Sequence, residues 1–190
     1  MTKVFIVPGF NAYPNSSWFP WLMSELKKLD IYTCALPMPS PDNPVCSQWV
    51  EELSRHINAS DQIYLVGHSI GCLAIMRFLE KTNNQIAGCI LVSCHSEKNS
   101  NHKIDSFFET PFDYKNIAKH AKKIVIIHSD NDPFVPLENA QTNARELNCQ
   151  LIVIPGGGHF TGSGGWRTFP ECLEVLKGMM NVVYYTYHRR

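Results

Sequence analysis

A chain of 190 residues that is 44% hydrophobic and 18% charged has enough apolar material for one buried core and is not a disordered polymer. Its 17 basic and 17 acidic residues cancel, which argues against electrostatic binding to nucleic acid or to an anionic membrane surface. Seven cysteines, an odd number with no C-x-x-C spacing, argue against a disulfide framework or a zinc site and suit buried, reduced thiols.

The first predicted strand, residues 3–7, is too short an apolar run for a signal-peptide core. No later run approaches membrane-spanning length, so a soluble cytoplasmic protein is the expectation. A helix follows with Trp18, Leu22, Leu26 and Leu29 on one face and Ser17 as its expected cap. Residues 31–36 form the second strand, and Trp49, Val50, Leu53 and Ile57 a second helical stripe. The third strand, 62–66, leads through Gly67-His68-Ser69-Ile70-Gly71 into a stretch, 70–79, that is apolar nearly all round. Such a helix should be buried. The fourth strand is 89–93. Residues 95–113 lack clear periodicity, and so long a loop in a compact domain usually has a role. The fifth strand is 124–128, and Pro136 opens a helix carrying Leu137, Ala140, Ala144 and Leu147. After the sixth strand, 151–154, Thr168-x-x-Glu171 fits a capping box ahead of Leu173, Leu176 and Met180. The tail, 181–190, suits either a short edge strand or a frayed end. Several strands are apolar without alternation, which means cover on both faces and a parallel sheet. The regular β-α alternation predicts one doubly wound α/β domain over residues 1–190 with right-handed crossovers.

Ser69 stands at a strand-to-helix junction with glycine at both second neighbours. A sharp turn there strains the central residue and lifts its side chain off the sheet, the physical content of the G-x-S-x-G nucleophile elbow. By composition alone the pattern arises in roughly one chain in twenty of this length, so its place between a buried strand and a buried helix carries the reading. A tight connection without chemistry is the plain alternative. A dinucleotide site fails locally, because the first βα turn lacks G-x-G-x-x-G and no phosphate-binding G-x-x-x-x-G-K-[ST] occurs.

A serine hydroxyl needs a base, and the base needs an orienting group. In α/β-hydrolases the chain order is serine, acid, histidine. The fifth strand ends in "HSDNDPFVP" and the sixth in "PGGGHFTG", which places an acid and a histidine past the carboxyl ends of later strands. Asp132 is the chosen acid, since Pro133 biases it to extended backbone, while Asp130 suits a turn cap. His159, delivered by Gly156-Gly157-Gly158, is the chosen base. His128 fits a packed histidine inside the strand end. The expected oxyanion donors are the N–H groups of Ile70 and Phe10, since Pro8 has none.

These motifs identify a resemblance. "VFIVPGF", "GFNAYPNSSWFPWL", "LPMPSPDNP", "LVGHSIGCLAIMRFLE", "DNDPFVP" and "GGGHF" make the chain similar to the small serine hydrolases grouped with retinoblastoma-binding serine hydrolase and the bacterial YdeN-like proteins, over nearly its whole length. The resemblance implies a minimal α/β-hydrolase: six parallel strands in order 2-1-3-4-5-6, helices on both faces, no large cap and a triad of Ser69, Asp132 and His159. The expected activity is a serine hydrolase acting on small acyl esters, thioesters or amides; no cofactor is expected, and no metal, since His and Asp/Glu do not gather at ligand spacing such as H-E-x-x-H. Retinoblastoma-pocket binding does not carry over, because Leu147-Asn148-Cys149-Gln150-Leu151 lacks the glutamate of L-x-C-x-E.

Candidate pocket walls are Trp18, Trp21, His68, Phe108 and Trp166, with Phe107 and Phe112 beside them, although aromatics in so small a domain more often fill the core. Gly162-Ser163-Gly164-Gly165 suggests a mobile rim. The competing class is a protein-binding module on a hydrolase scaffold, which the triad order argues against. Asp-nucleophile chemistry, as in dehalogenases, would need an acid where Ser69 stands.

Overall fold

The computed structural model describes residues 1–57 and 62–181; the tail from 182 onward lies outside them. Six strands, β1 (Thr2–Val7), β2 (Tyr32–Ala35), β3 (Gln62–His68), β4 (Gly88–Val92), β5 (Ile124–Ser129) and β6 (Gln150–Ile154), form one sheet in the order β2-β1-β3-β4-β5-β6. Every neighbouring pair is parallel. The helices are α1 (Phe19–Lys27), α2 (Cys46–His56), α3 (Ile70–Lys81), α4 (Tyr114–Lys119), α5 (Leu137–Leu147) and α6 (Pro170–Met180). The fold class and strand order match the expectation. None of these helices is long and apolar enough to cross a membrane.

The unalternating strands have a direct cause. In β1, Phe5 and Val7 point to a core closed by α2, α3, α4 and α5, while Val4 and Ile6 point to a second core under α1 and α6. Both faces are covered, so both sets of positions are apolar. The chain runs from β1 out to β2, then returns to β3 on the other side of β1. The carboxyl ends of β1 and β3 therefore border the crevice where ligands bind in open α/β sheets.

Two expected helix caps are corrected. Ser17 does not cap α1. It adopts φ 51°, and its hydroxyl accepts a bond from the Gly162 N–H at 3.0 Å; Pro20 lies in the helix's first turn. The capping box at Thr168 does not form either. Phe169 precedes Pro170, is held at φ −146° and starts no helix itself. α6 begins one residue later, at the proline.

The aperiodic stretch 95–113 is not a bare loop. It contains a 3₁₀ helix, His102–Phe108, and leads into α4, whose first turn is capped by Asp113 through a 3.0 Å bond from the Asn116 N–H. Buried Arg77 of α3 holds the segment from below. It donates to the carbonyl oxygens of Phe107 at 2.9 Å and Thr110 at 2.5 Å, and pairs with Glu80 at 2.8 Å. Its guanidinium also lies 3.9 Å from the centre of the Phe112 ring.

Candidate active site

Ser69 joins β3 to α3 at φ 54°, ψ −122°, backbone space that side chains rarely adopt. Its N–H is tied to the Val92 carbonyl at 2.8 Å, which secures the turn. The flanking glycines are required by contact. A Cβ on Gly67 would lie 2.8 Å from the Cα and N of Cys72. One on Gly71 would lie 2.1 Å from the Val7 carbonyl oxygen and 2.6 Å from that of Pro8. α3 thus starts against the end of β1, and the serine is lifted above both.

Asp132 follows β5. One carboxylate oxygen accepts from the N–H groups of Phe134 at 2.9 Å and Val135 at 3.0 Å. The other accepts from His159 Nδ1 at 2.7 Å, and the aspartate side chain is fully buried. Burial alone would raise this carboxyl, but the hydrogen bond and charge of His159 and the Phe134 N–H hold it down at about 2. It is a carboxylate at any ordinary pH. With Nδ1 donating to that carboxylate, neutral His159 presents an unprotonated Nε2, able to accept a proton.

His159 sits on a clamped connection. Gly156 and Gly158 have φ 70° and 57°, conformations that suit glycine. Three consecutive residues at the end of β5, Ser129 to Asn131, fasten them. Asp130 accepts from the Gly156 N–H at 2.8 Å and Asn131 from the Gly158 N–H at 2.8 Å. Ser129 donates to the Gly158 carbonyl at 2.5 Å. Asp130, expected to cap its own turn, instead reaches across to the next connection. His68 Nε2 donates to the His159 carbonyl at 2.8 Å, so its Nδ1 carries no proton. That atom is buried without a partner. Burial, with the nearby imidazole of His159, lowers His68 to about 3 and His95 to about 4. His128 is a packed histidine as expected, donating to the Val135 carbonyl at 2.9 Å.

Ser69, His159, Phe10, Ile70 and His68 border one cavity of about 750 Å³. The expected aromatic walls do not. Trp18 is fully buried and donates to the Phe160 carbonyl at 3.1 Å. Trp21 packs on the core under α1 and α6. Trp166 stacks edge-on against Phe160 and Phe169. Within the 95–113 segment, Phe107 meets Trp49 of α2 and Phe108 meets Phe112. Trp18 and Phe107 fill the core, and Trp21, Phe108, Phe112 and Trp166 pack half-buried against it. The walls come instead from residues the sequence reading passed over, among them His95, Asn99, Asn101, Ile104, Phe134 and Arg167. Phe134 is 62% exposed and its ring centre is 5.1 Å from that of His159. Its signal was its place between Asp132 and α5. The glycine-rich rim is a bonded 3₁₀ turn, with Trp166 N–H donating to the Thr161 carbonyl at 3.1 Å and Gly162 to Ser17.

Known proteins place this architecture. A family profile describing serine hydrolases matches residues 4–178. The chain is 34% identical to the hydrolase YdeN of Bacillus subtilis (strain 168) over 181 residues, 93% of this chain and 95% of the relative. It is 28% identical to serine hydrolase RBBP9 of Rattus norvegicus over 184 residues, 94% and 96% of the two chains. The crystal structure of the B. subtilis ydeN product superposes with a TM-score of 0.90 at 31% identity, covering 95% of this chain and all of that one. The chain is a hydrolase and belongs to the serine hydrolase family.

Proposed function

We propose that this hydrolase cleaves small acyl esters, thioesters or amides by two-step acyl transfer, with Ser69 as nucleophile, His159 as base and Asp132 as the group that orients it. The observation that carries the reading is the 2.7 Å bond between buried Asp132 and His159 Nδ1, on a histidine that shares its cavity with a strained serine.

Ser69 Oγ attacks the acyl carbon while His159 Nε2 takes the hydroxyl proton. The bond to the leaving oxygen, sulfur or nitrogen breaks, and the same proton passes to that atom. Water then attacks the acyl carbon and gives its proton to His159; the bond to Ser69 Oγ breaks, the carboxylic acid leaves, and His159 returns the proton to Oγ. The N–H groups of Phe10 and Ile70 receive the oxyanion, the second from the start of α3, where the helix dipole favours negative charge. Asp132 stays ionised and steadies the imidazolium throughout.

The test is labelling with a fluorophosphonate probe alongside hydrolysis of a short-chain ester. Wild type should be labelled and active. Ser69→Ala should lose labelling, and turnover should fall on the order of 10⁴–10⁶-fold. Undiminished labelling and turnover in Ser69→Ala would sink the proposal.

A further inference from the structure

We propose that the substrate of this cavity carries an anionic group, a carboxylate or a phosphate, which Arg167 receives. This rests on the acyl-transfer reading of Ser69 and narrows its substrate.

Among the described residues bordering the cavity, Arg167 is the one side chain with a fixed charge; no lysine, aspartate or glutamate joins it. The three other described arginines, Arg55, Arg77 and Arg145, are each paired with a glutamate. The Arg167 guanidinium has no hydrogen-bond or ion-pair partner among the described residues. Five donors in a planar fork suit a carboxylate or phosphate.

The guanidinium is seated. It lies against the bare face of Gly162, where a Cβ would come 3.0 Å from Nη1 and 3.3 Å from Cζ. Gly162 is itself held by its bond to Ser17, and the Arg167 N–H donates to the Gly165 carbonyl at 3.0 Å. The bonded turn thus points a cation at a cavity shared with Ser69. Apolar side chains among the other walls are Ile70, Ile104, Pro133 and Phe134, beside uncharged polar ones such as Asn11, Asn99, Asn101 and Thr161. The lining therefore offers apolar surface for a short acyl or aryl group and one positive site for an anion. The chain as a whole is neutral, so a preference for anions would come from local charge at the cavity and not from the net charge.

The experiment compares para-carboxyphenyl butyrate, para-phosphophenyl butyrate and monophenyl succinate with neutral phenyl butyrate. The first two place the anion on the leaving group, as carboxylate or phosphate; the third places it on the acyl group. At least one charged ester should exceed phenyl butyrate by about 10- to 100-fold in kcat/KM. That ratio should collapse in Arg167→Gln, survive in part in Arg167→Lys and shrink at high salt. Fluorophosphonate labelling of each variant shows that Ser69 and the fold are intact. Phenyl butyrate hydrolysed as well as every charged ester, or a preference untouched in labelled Arg167→Gln, would overturn the inference. Absence of labelling and of all ester hydrolysis in wild type would instead remove the acyl-transfer reading beneath it.

Discussion

Ser69 holds its unusual backbone because neighbouring residues have no side chain to object. At Gly71 the obstacle to a Cβ is the β1 backbone itself, 2.1 Å away, which has no rotamer to yield. Gly71→Ala should cost about 3 kcal/mol or more, read as a fall in urea midpoint. Gly178, inside α6 with nothing within 4 Å of its would-be Cβ, is the control; Gly178→Ala should be neutral or stabilising by up to about 1 kcal/mol. Equal effects at the two sites would contradict the contact argument. Asp132 invites a different substitution. Asp132→Asn keeps the shape but loses the charge and the acceptor that fixes the His159 tautomer. Under the proposed mechanism, kcat should drop on the order of 10³–10⁴-fold while circular dichroism stays native. A variant within a factor of ten of wild type would remove Asp132 from its role. The meeting of Asp132 with His159 is legible in the sequence because each follows a strand of a parallel sheet, and all such ends open on one edge. The cavity walls are not. A tryptophan such as Trp18 reads alike whether it faces a crevice or a core, and only its partners, the rings of Phe19 and Phe169 and the Phe160 carbonyl, decide.

At the scale of elements, the strands are readable because β1, β3 and β4 are apolar on both faces. The 95–113 segment is unreadable because long-range side-chain bonds, not periodicity, organise it. Asn139 of α5 accepts from the Ser96 N–H at 2.7 Å, Asn143 donates to the His95 carbonyl at 3.0 Å, and Arg77 gathers residues 107–111. Arg77 is 5% exposed on a helix whose apolar run conceals it. Removing one partner from a buried charged network leaves the opposite charge uncompensated, here Glu80, which among the described residues would keep only the Asp113 N–H. Arg77→Ala should therefore cost about 3–5 kcal/mol and open residues 107–112 to limited proteolysis. Native stability and wild-type cleavage in that variant would show that the segment is held by other means. Because Ile104 and Asn101 of this segment border the cavity, the same variant should also raise KM.

At the scale of the whole molecule, burial lowers three histidines among the described residues: His68 to about 3, His95 to about 4, and His128 in the same direction. Their usual value is 6.5, so the unfolded chain takes up protons first as the solution is acidified. The stability His68 and His95 contribute is complete above about pH 6.5 and is lost as pH falls through that window toward 4 and 3, by about 1.4 kcal/mol per pH unit for each, and His128 acts in the same direction. Asp132, depressed to about 2, adds a further loss below its unfolded value. Urea midpoints should therefore drop steeply between pH 7 and pH 4.5; a flat profile there would contradict the neutral burial of these rings. The central claim is that two layers of helix, one parallel sheet and a strained turn together present Ser69 as a nucleophile that becomes acylated. Rapid quenching during hydrolysis of para-nitrophenyl butyrate, followed by peptide mass spectrometry, tests it most directly. The account predicts a butyryl adduct on the peptide containing Ser69, absent in Ser69→Ala. Full turnover with no adduct, or with an adduct on another residue, would contradict it.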